Sequence, residues 1–369
     1  MFIRTKKIEV DDFNPDVSKL KEAAETIKDD STVVFPTETV YGLGANAMSN
    51  NAVQKIFLAK GRPSDNPLIV HISSVEGFKR YAHISDKLLY KVSEFVPGPI
   101  TFVLEKRDMI PDIVTASRKS VGIRFPAHPV AQRFIELSGF PIAAPSANIS
   151  GRPSPTNADD VIEDMNGKVD YIITSGNLKF GIESTVVDVT GIAPVILRPG
   201  PIPPEKIEEI FGKVIIPDFV YGQSTVDVAL APGMKYRHYS PCVPVILFEY
   251  KQKIDLLQIS DNLSFYENPI FLFLDEHSSI FESIGYDKQC IGTISNLYEI
   301  GAKIFSMFRK YEKSHDAKAA YDDNGLIPQA IRMIKQTCPD LGVMTDGALD
   351  PYTLTGQDGL TNENGKVLS

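Results

Sequence analysis

The sequence predicts an α/β protein of more than one domain. Three features carry that prediction: short apolar runs alternating with amphipathic stretches, a chain of 369 residues, and an abrupt loss of periodicity between Lys213 and Pro241. A chain this long exceeds what one hydrophobic core commonly spans. Hydrophobic residues at 43% and charged residues at 23% fit a globular protein and exclude a fibrous or disordered one. The net charge of -9 argues against a protein that coats nucleic acid. Cys242, Cys290 and Cys338 are too far apart for a disulfide framework or a zinc pair. The N-terminal MFIRTKKIEVDDFNP lacks the apolar core of a signal peptide, and no stretch approaches the roughly 18 apolar residues of a membrane span. A cytoplasmic location is therefore expected, with no membrane partner.

Taken in order, Val17, Leu20, Ala23, Ala24 and Ile27 recur at helical spacing and predict a helix within Asn14–Asp30. Val33–Ile72 follows, reading as strand, hydroxyl- and glycine-rich turn, short helix and second strand. Val75–Phe95 is helix-compatible, and a Pro-Gly-Pro turn then feeds a strand in Pro97–Lys106. SVGIR, a helix after AHP, and the strand of GFPIAAP lead into a loop rich in Ser, Pro, Gly and Asn, where ligand-binding groups are usually displayed. A helix over Ala158–Met165, VDYIITSGN, FGIESTVVDVT and ILRPGPI complete a first domain ending near Gly212. The next stretch reads as a linker, although its APGMKYRHYSP end gathers donors and aromatic faces. Beyond it, strands at Val243–Phe248, in PIFLFLDE and near Cys290–Thr293, with a helix over Asn296–Tyr311, predict a small doubly wound unit. That unit lacks a GxGxxG fingerprint, so nucleotide binding there has no direct support.

Four polar clusters end apolar strands of the first domain: PTETVYGLG, KGRPSDNPLIVH, SVGIR with APSANISGRPS, and GIESTVV with LRPG. Their inventory is Arg and Lys for charge, Ser and Thr for hydroxyls and Asn for amides. Paired carboxylates, a nucleophile elbow and a His/Cys metal cluster are missing. This favours phosphoryl or nucleotidyl transfer, which works mainly by positioning and charge neutralisation. Lys60 and Arg62 suit a triphosphate. They also suit a solvated helix end, where cations complement the helix dipole.

PTETVYGLGANA, KGRPSDNPLIVHI, PGPITFVL, RFPAHP, APSANISGRPSPT, ESTVVDVT and LRPGPI together resemble the YrdC-type domain of threonylcarbamoyl-adenylate synthases. APGMKYRHYSP with an α/β unit behind it resembles the family's long form. The resemblance implies a YrdC-like twisted open mixed sheet with flanking helices, plus a smaller Rossmann-like C-terminal domain. It divides the chain into a catalytic domain over 1–212, a linker or lid over 213–241, a small domain over 242–323 and a tail over 324–369. The implied enzyme condenses L-threonine, bicarbonate and ATP into threonylcarbamoyl-AMP, releasing pyrophosphate and using Mg²⁺ with the nucleotide. A tRNA threonylcarbamoyl-transfer complex would consume the product, and direct contact with tRNA is left open. By motif position, Lys60 and Arg62 are the implied catalytic residues. Arg62, Asn66, Ser120, Ala144, Ser146, Ser154, Arg198 and Tyr236 are implied on ATP, and Thr39, His71, Arg124 and Ser184 on threonine. Each has a plainer alternative: His71 as a core histidine, Ser146 and Asn148 as turn caps, Ser184 as a strand hydroxyl, Arg198 as a rim ion pair.

One rival is a non-catalytic RNA-binding YrdC-like module, which the acidic charge disfavours. Another is a relative acting on carbamoyl phosphate, but the CxxC zinc modules of such proteins are absent. The tail departs from the family: from Asn324 the chain, including TDGALDPYTLTGQDG, is similar to a fragment of porphobilinogen synthase without its paired lysines. Asp346, Asp350 and Asp358 could hold a divalent ion there or be solvated turn residues, and Gly325–Lys335 could form a helix.

Overall fold

The apolar runs of the first domain become strands of one mixed sheet because alternate residues of each run find apolar partners on opposite faces. The structure, a computed structural model, describes residues 3–176, 178–221, 245, 259, 269–282, 285–312, 360–361 and 367–368. The chain divides into two compact units, Met1–Tyr239 and Ser240–Ser369.

In the first unit the elements are β1 (Lys6–Glu9), α1 (Val17–Glu25), β2 (Val33–Phe35), β3 (Gly42–Asn46), α2 (Asn50–Lys60), β4 (Ile69–His71), α3 (Glu76–Tyr81), β5 (Ala82–His83), α4 (Asp86–Ser93), β6 (Ile100–Lys106), α5 (Asp112–Thr115), β7 (Ser120–Arg124), α6 (Pro129–Ser138), β8 (Ile142–Ala144), α7 (Ala158–Met165), β9 (Tyr171–Thr174), β10 (Thr185–Asp188), β11 (Val195–Arg198) and α8 (Pro204–Phe211). The strands lie in the order β1-β9-β2-β3-β8-β4-β7-β6-β10-β11, with β5 paired to β6. Neighbours run parallel at β1·β9, β2·β9, β4·β7 and β6·β10 and antiparallel elsewhere along the sheet.

Helix ends follow from local chemistry. Ser49 Oγ accepts from Ala52 N at 3.2 Å to start α2, and Gly61 ends it at φ 63°, a left-handed conformation that glycine reaches without a Cβ clash. Pro129 opens α6 after His128, whose Nδ1 accepts from Val130 N at 3.2 Å. The helix expected across Val75–Phe95 is instead split. Ala82 turns extended to pair with β6, and Ser85 Oγ then caps a second helix by accepting from Leu88 N at 3.2 Å. The sequence reading also passed over β1, an edge strand with only Ile8 buried, and α8, which buries only Ile207.

Alternation sorts the core by face. Val34, Val70, Val121, Ile123, Ala143, Phe102 and Val187 join the larger core, into which α2, α7 and α8 place Ile56, Val161 and Ile207. Val33, Phe35, Ile142 and Ala144 point the other way, under α1 and α6, which supply Leu20 and Phe134. In the second unit, β12 (Ile270–Leu274) pairs parallel with β13 (Asp287–Gly292), α9 (Ser278–Phe281) lies between them in sequence, and α10 (Leu297–Glu312) packs on β13. Of the strand expected at Val243–Phe248 only Val245 is described, exposed and outside any strand. Most of the linker, with Tyr236, and most of the tail, including Gly325–Lys335 and Asp346, Asp350 and Asp358, lie outside the described residues.

Phe134 is fully buried with its ring 5.2 Å from that of Phe35. Phe134→Ala is expected to cost about 3–5 kcal/mol, read from urea unfolding of the variant and the parent.

Candidate active site

The face carrying Phe35 and Ile142 is unevenly covered. At one end α1 and α6 seal it, and at the other Val103, Val186 and Leu197 form a small apolar patch. Between them the residues facing out are small or polar, and a crevice opens. Thr37, Val40, Gly42, Arg62, Ile69, His71, Arg124, Ala144, Pro145, Ser146, Glu183, Ser184 and Arg198 line it.

Register places the two residues at its floor. Strands β4 and β7 run parallel with His71 opposite Arg124, so the side chains of their last residues emerge side by side. Arg124 is 4% exposed, and its Nη2 lies 2.8 Å from Oε1 of Glu38, itself 5% exposed. The pair touches without aligned hydrogen bonds: both Glu38 oxygens and the Nε and Nη2 of Arg124 are buried with no hydrogen-bond partner. Burial, and then the Arg124 cation, push the pKa of His71 from 6.5 to about 3. The imidazole is thus neutral, and its buried Nδ1 has no hydrogen-bond partner.

The turn between β2 and β3 is wired by hydroxyls. Thr37 Oγ1 donates to Val40 O at 2.6 Å, which leaves Thr39 Oγ1 to donate to Thr37 Oγ1 at 2.9 Å. The carbonyls of Glu38 and Thr39 accept from Phe180 N and Gly181 N, each at 3.0 Å, tying the turn to the loop that carries Glu183 and Ser184. Arg198 grips that loop in turn, donating from Nε and Nη2 to Ser184 O at 3.1 and 2.9 Å and from Nη2 to Ser184 Oγ at 3.1 Å. Ser184 Oγ also meets Thr101 Oγ1 at 2.8 Å. Gly200 is required here, since a Cβ on it would stand 2.3 Å from Thr185 N and 2.7 Å from Glu183 O.

Lys60, expected on the phosphates, is bonded within the protein. It is 2% exposed, it does not line the crevice, and its Nζ donates to Ser146 O and Asn148 O at 2.6 Å each and to Asn148 Oδ1 at 3.2 Å. Its ammonium therefore fastens the loop after β8 to the end of α2. Ser146 Oγ donates to Asn148 Oδ1 at 2.6 Å within that loop. Ser154 donates to Glu183, joining the same loop to the opposite wall.

Of the residues singled out in the sequence, Arg62, His71, Arg124, Ala144, Ser146, Ser184 and Arg198 meet in the crevice. Thr39 and Ser154 stand behind it, joined to lining residues. Asn66 is 1% exposed with neither amide atom hydrogen-bonded, and Arg62 Nη2 donates to Pro67 O at 3.2 Å. Ser120 lies apart, but on the same face of β7 as Gly122 and Arg124. It lines a groove with Leu68, Thr101, Thr115, Arg118 and Gly122 that meets the crevice at Ile69. Glu38, Thr37, Thr101 and Glu183 were not proposed from the sequence. PTET and EST, both inside recognised motifs, held the only signal for Thr37, Glu38 and Glu183. Among the described residues no cluster of three or more His, Cys, Asp and Glu could hold a metal ion.

The family profile described as telomere recombination, covering Sua5, YciO and YrdC proteins, matches residues 25–200. A second profile, for delta-aminolevulinic acid dehydratase, matches residues 281–369, starting upstream of Asn324. The chain is 53% identical over 232 residues to a threonylcarbamoyl-AMP synthase of Pyrococcus abyssi, covering 63% of this chain and 68% of that protein. It is 39% identical over 308 residues to the threonylcarbamoyl-AMP synthase of Bacillus subtilis, covering 82% of this chain and 87% of the relative. The crystal structure of P. abyssi Sua5 complexed with L-threonine superposes with a TM-score of 0.78 at 39% identity, over 91% of this chain and 98% of that one.

Lys60→Met should lower stability by about 3 kcal/mol in urea unfolding, because buried acceptors lose their cation. The folded pKa of His71, about 3, lies below its unfolded value near 6.5, so only the unfolded chain binds this proton between them. The His71 contribution should be constant above pH 6.5 and destabilise by about 1.4 kcal/mol per pH unit as pH falls towards 3. The difference between parent and His71→Asn unfolding free energies at pH 7 and pH 5 reads that slope.

Proposed function

This chain belongs to the Sua5/YrdC family of threonylcarbamoyl-AMP synthases, and from that premise we propose how its crevice performs the family's chemistry. The protein is a nucleotidyltransferase that makes L-threonylcarbamoyl-AMP, with release of pyrophosphate, for threonylcarbamoyladenosine modification of tRNA. The observation that supports this best is the convergence of His71 and Arg124, neighbours in strand register, with Arg62, Ser146, Ser184 and Arg198 in one crevice. One wall offers groups for an amino acid and the other offers groups for phosphates.

In this reading the unprotonated amine of threonine combines with bicarbonate to give a carbamate and water. A carbamate oxygen then attacks the α-phosphorus of ATP and pyrophosphate leaves. Arg124 takes the threonine carboxylate through its Nε, which has no hydrogen-bond partner, while Nη2 lies against Glu38. Neutral His71 can accept or donate one hydrogen bond at Nδ1 without adding charge, and the Ser184 and Thr39 hydroxyls order the same corner. Arg62, Arg198 and Ser146 neutralise and orient the phosphates. Ser120 and Asn66 serve the nucleotide along the adjoining groove, with Ala144 contributing its backbone. Lys60 acts through the loop it fastens. Glu183, the one carboxylate among the described lining residues, fits a Mg²⁺ ion carried by the triphosphate, since that ion commonly takes one or two protein carboxylates. The product would pass to a tRNA-modifying complex in the cytoplasm. Among the described residues no helix is long and apolar enough to cross a membrane.

Pyrophosphate release by the full chain is expected to require ATP, L-threonine and bicarbonate together. Release from ATP alone, or none from either the full chain or a version ending before Asn324, would contradict the reading. Arg62→Ala should lower kcat by about 10²- to 10³-fold. Arg124→Ala should instead raise the KM for threonine.

A further inference from the structure

The Glu38–Arg124 contact is unusual for a buried ion pair. The Nη2–Oε1 distance is 2.8 Å and both residues are almost fully buried, yet neither Glu38 oxygen has a hydrogen-bond partner. A buried carboxylate left in that state costs stability, so packing alone gives no reason to place it there. The turn holds Glu38 in place, since its carbonyl accepts from Phe180 N and its neighbour Thr39 is locked to Thr37.

Among the described residues, the two histidines of this corner, His71 and His128, add no positive charge. Burial and the Arg124 cation keep His71 neutral. Burial lowers the pKa of His128, against the opposing pull of Asp12 and Glu38, and Asp12 lies beyond it at 3.7 Å. Arg62, Arg198 and Glu183 line the same crevice, where the proposed reading sets Arg62 and Arg198 on the phosphates. At the ends of β4 and β7, among the described residues, the Arg124 cation and the Glu38 carboxylate are therefore in contact. A ligand carrying only a carboxylate meets an arginine whose charge is already cancelled. A ligand carrying a carboxylate and an ammonium matches the pair as a whole.

We propose that Glu38 is a specificity-determining residue: its carboxylate makes the Arg124 subsite neutral overall, so that the subsite accepts an amino-acid zwitterion and rejects a carboxylic acid lacking the ammonium. The inference rests on the reading that an amino acid binds at Arg124. It assigns Glu38 a role of exclusion as well as attraction, which selectivity between similar ligands commonly needs.

The test is calorimetric titration of the full chain with L-threonine and with 3-hydroxybutyrate, which is threonine without its ammonium. The parent should bind threonine and discriminate strongly against 3-hydroxybutyrate. In Glu38→Gln, threonine should bind about tenfold more weakly while 3-hydroxybutyrate binds equally or more tightly, so the ratio of affinities collapses. Glu38→Asp keeps the charge and should keep that ratio within about threefold, even if both affinities fall. Equal weakening of both ligands in Glu38→Gln would reduce Glu38 to a positioning role and overturn the proposal, as would no change in either. If Glu38→Gln does not fold, a collapsed ratio in Glu38→Asp overturns it and a preserved ratio supports it. A parent that binds neither ligand overturns the functional reading first and this inference with it, whereas a parent that binds threonine isolates the question to Glu38.

Discussion

The ammonium of Lys60 lies at the end of α2 with three protein oxygens within 3.2 Å, all from the loop that follows β8. Sinking an ammonium this deep costs several kcal/mol, and close acceptors offset that cost only if each stays in place. The loop therefore has one arrangement compatible with the buried charge. From it the other contacts follow: Ser146 faces the crevice, Asn148 Nδ2 holds Ile149 O and Arg152 O at 2.9 and 2.7 Å, and Ser154 reaches Glu183 on the far wall. A cation outside the described lining of the crevice helps fix the shape of one side of it.

The crevice itself is a consequence of side-chain size on one sheet face. Where α1 and α6 cover the sheet, the face carries Val33, Phe35 and Ile142. Where no helix covers it, the sheet and the residue before β10 present Gly42, Gly122, Thr101 and Ser184, which fill little space. On the opposite face Val70, Phe102, Val121 and Ile123 are packed into the larger core. Parallel pairing of β4 and β7 adds the chemistry, since it brings the ends of both strands to the same edge, His71 beside Arg124. Ligand sites outside the carboxyl ends of strands are general in open α/β sheets.

Much of this was legible in the sequence, for reasons specific to each element. Apolar runs such as IAA and SVGIR became strands because their alternation matched two apolar or half-open faces, and KGR ended a helix because Gly61 takes a left-handed turn. The segment Val75–Phe95 misled because helical periodicity continues through Ala82 and His83, and only pairing with β6 converts them to a strand. The burial of Lys60 was not legible for a related reason: a lysine next to a helix end reads as solvated or ligand-facing, and the acceptors that bury it lie 86 and 88 residues away. Glu38 was passed over because a glutamate in a turn reads as exposed, while its partner is contributed by a strand far along the chain. Seven of the proposed site residues nonetheless share the crevice, because all but Arg62, which follows α2, sit at or beside strand ends that the sheet aligns.

The central claim is that threonine and ATP meet over the ends of β4 and β7. Amide hydrogen exchange of the full chain, with and without L-threonine and a non-hydrolysable ATP analogue together, tests it directly. Added protection is expected in segments 37–41, 69–71, 120–124 and 183–185, which carry the crevice and its adjoining groove. Protection confined instead to the open cleft lined by His83, Ser85, Arg107 and Thr190, or absent throughout, would contradict it.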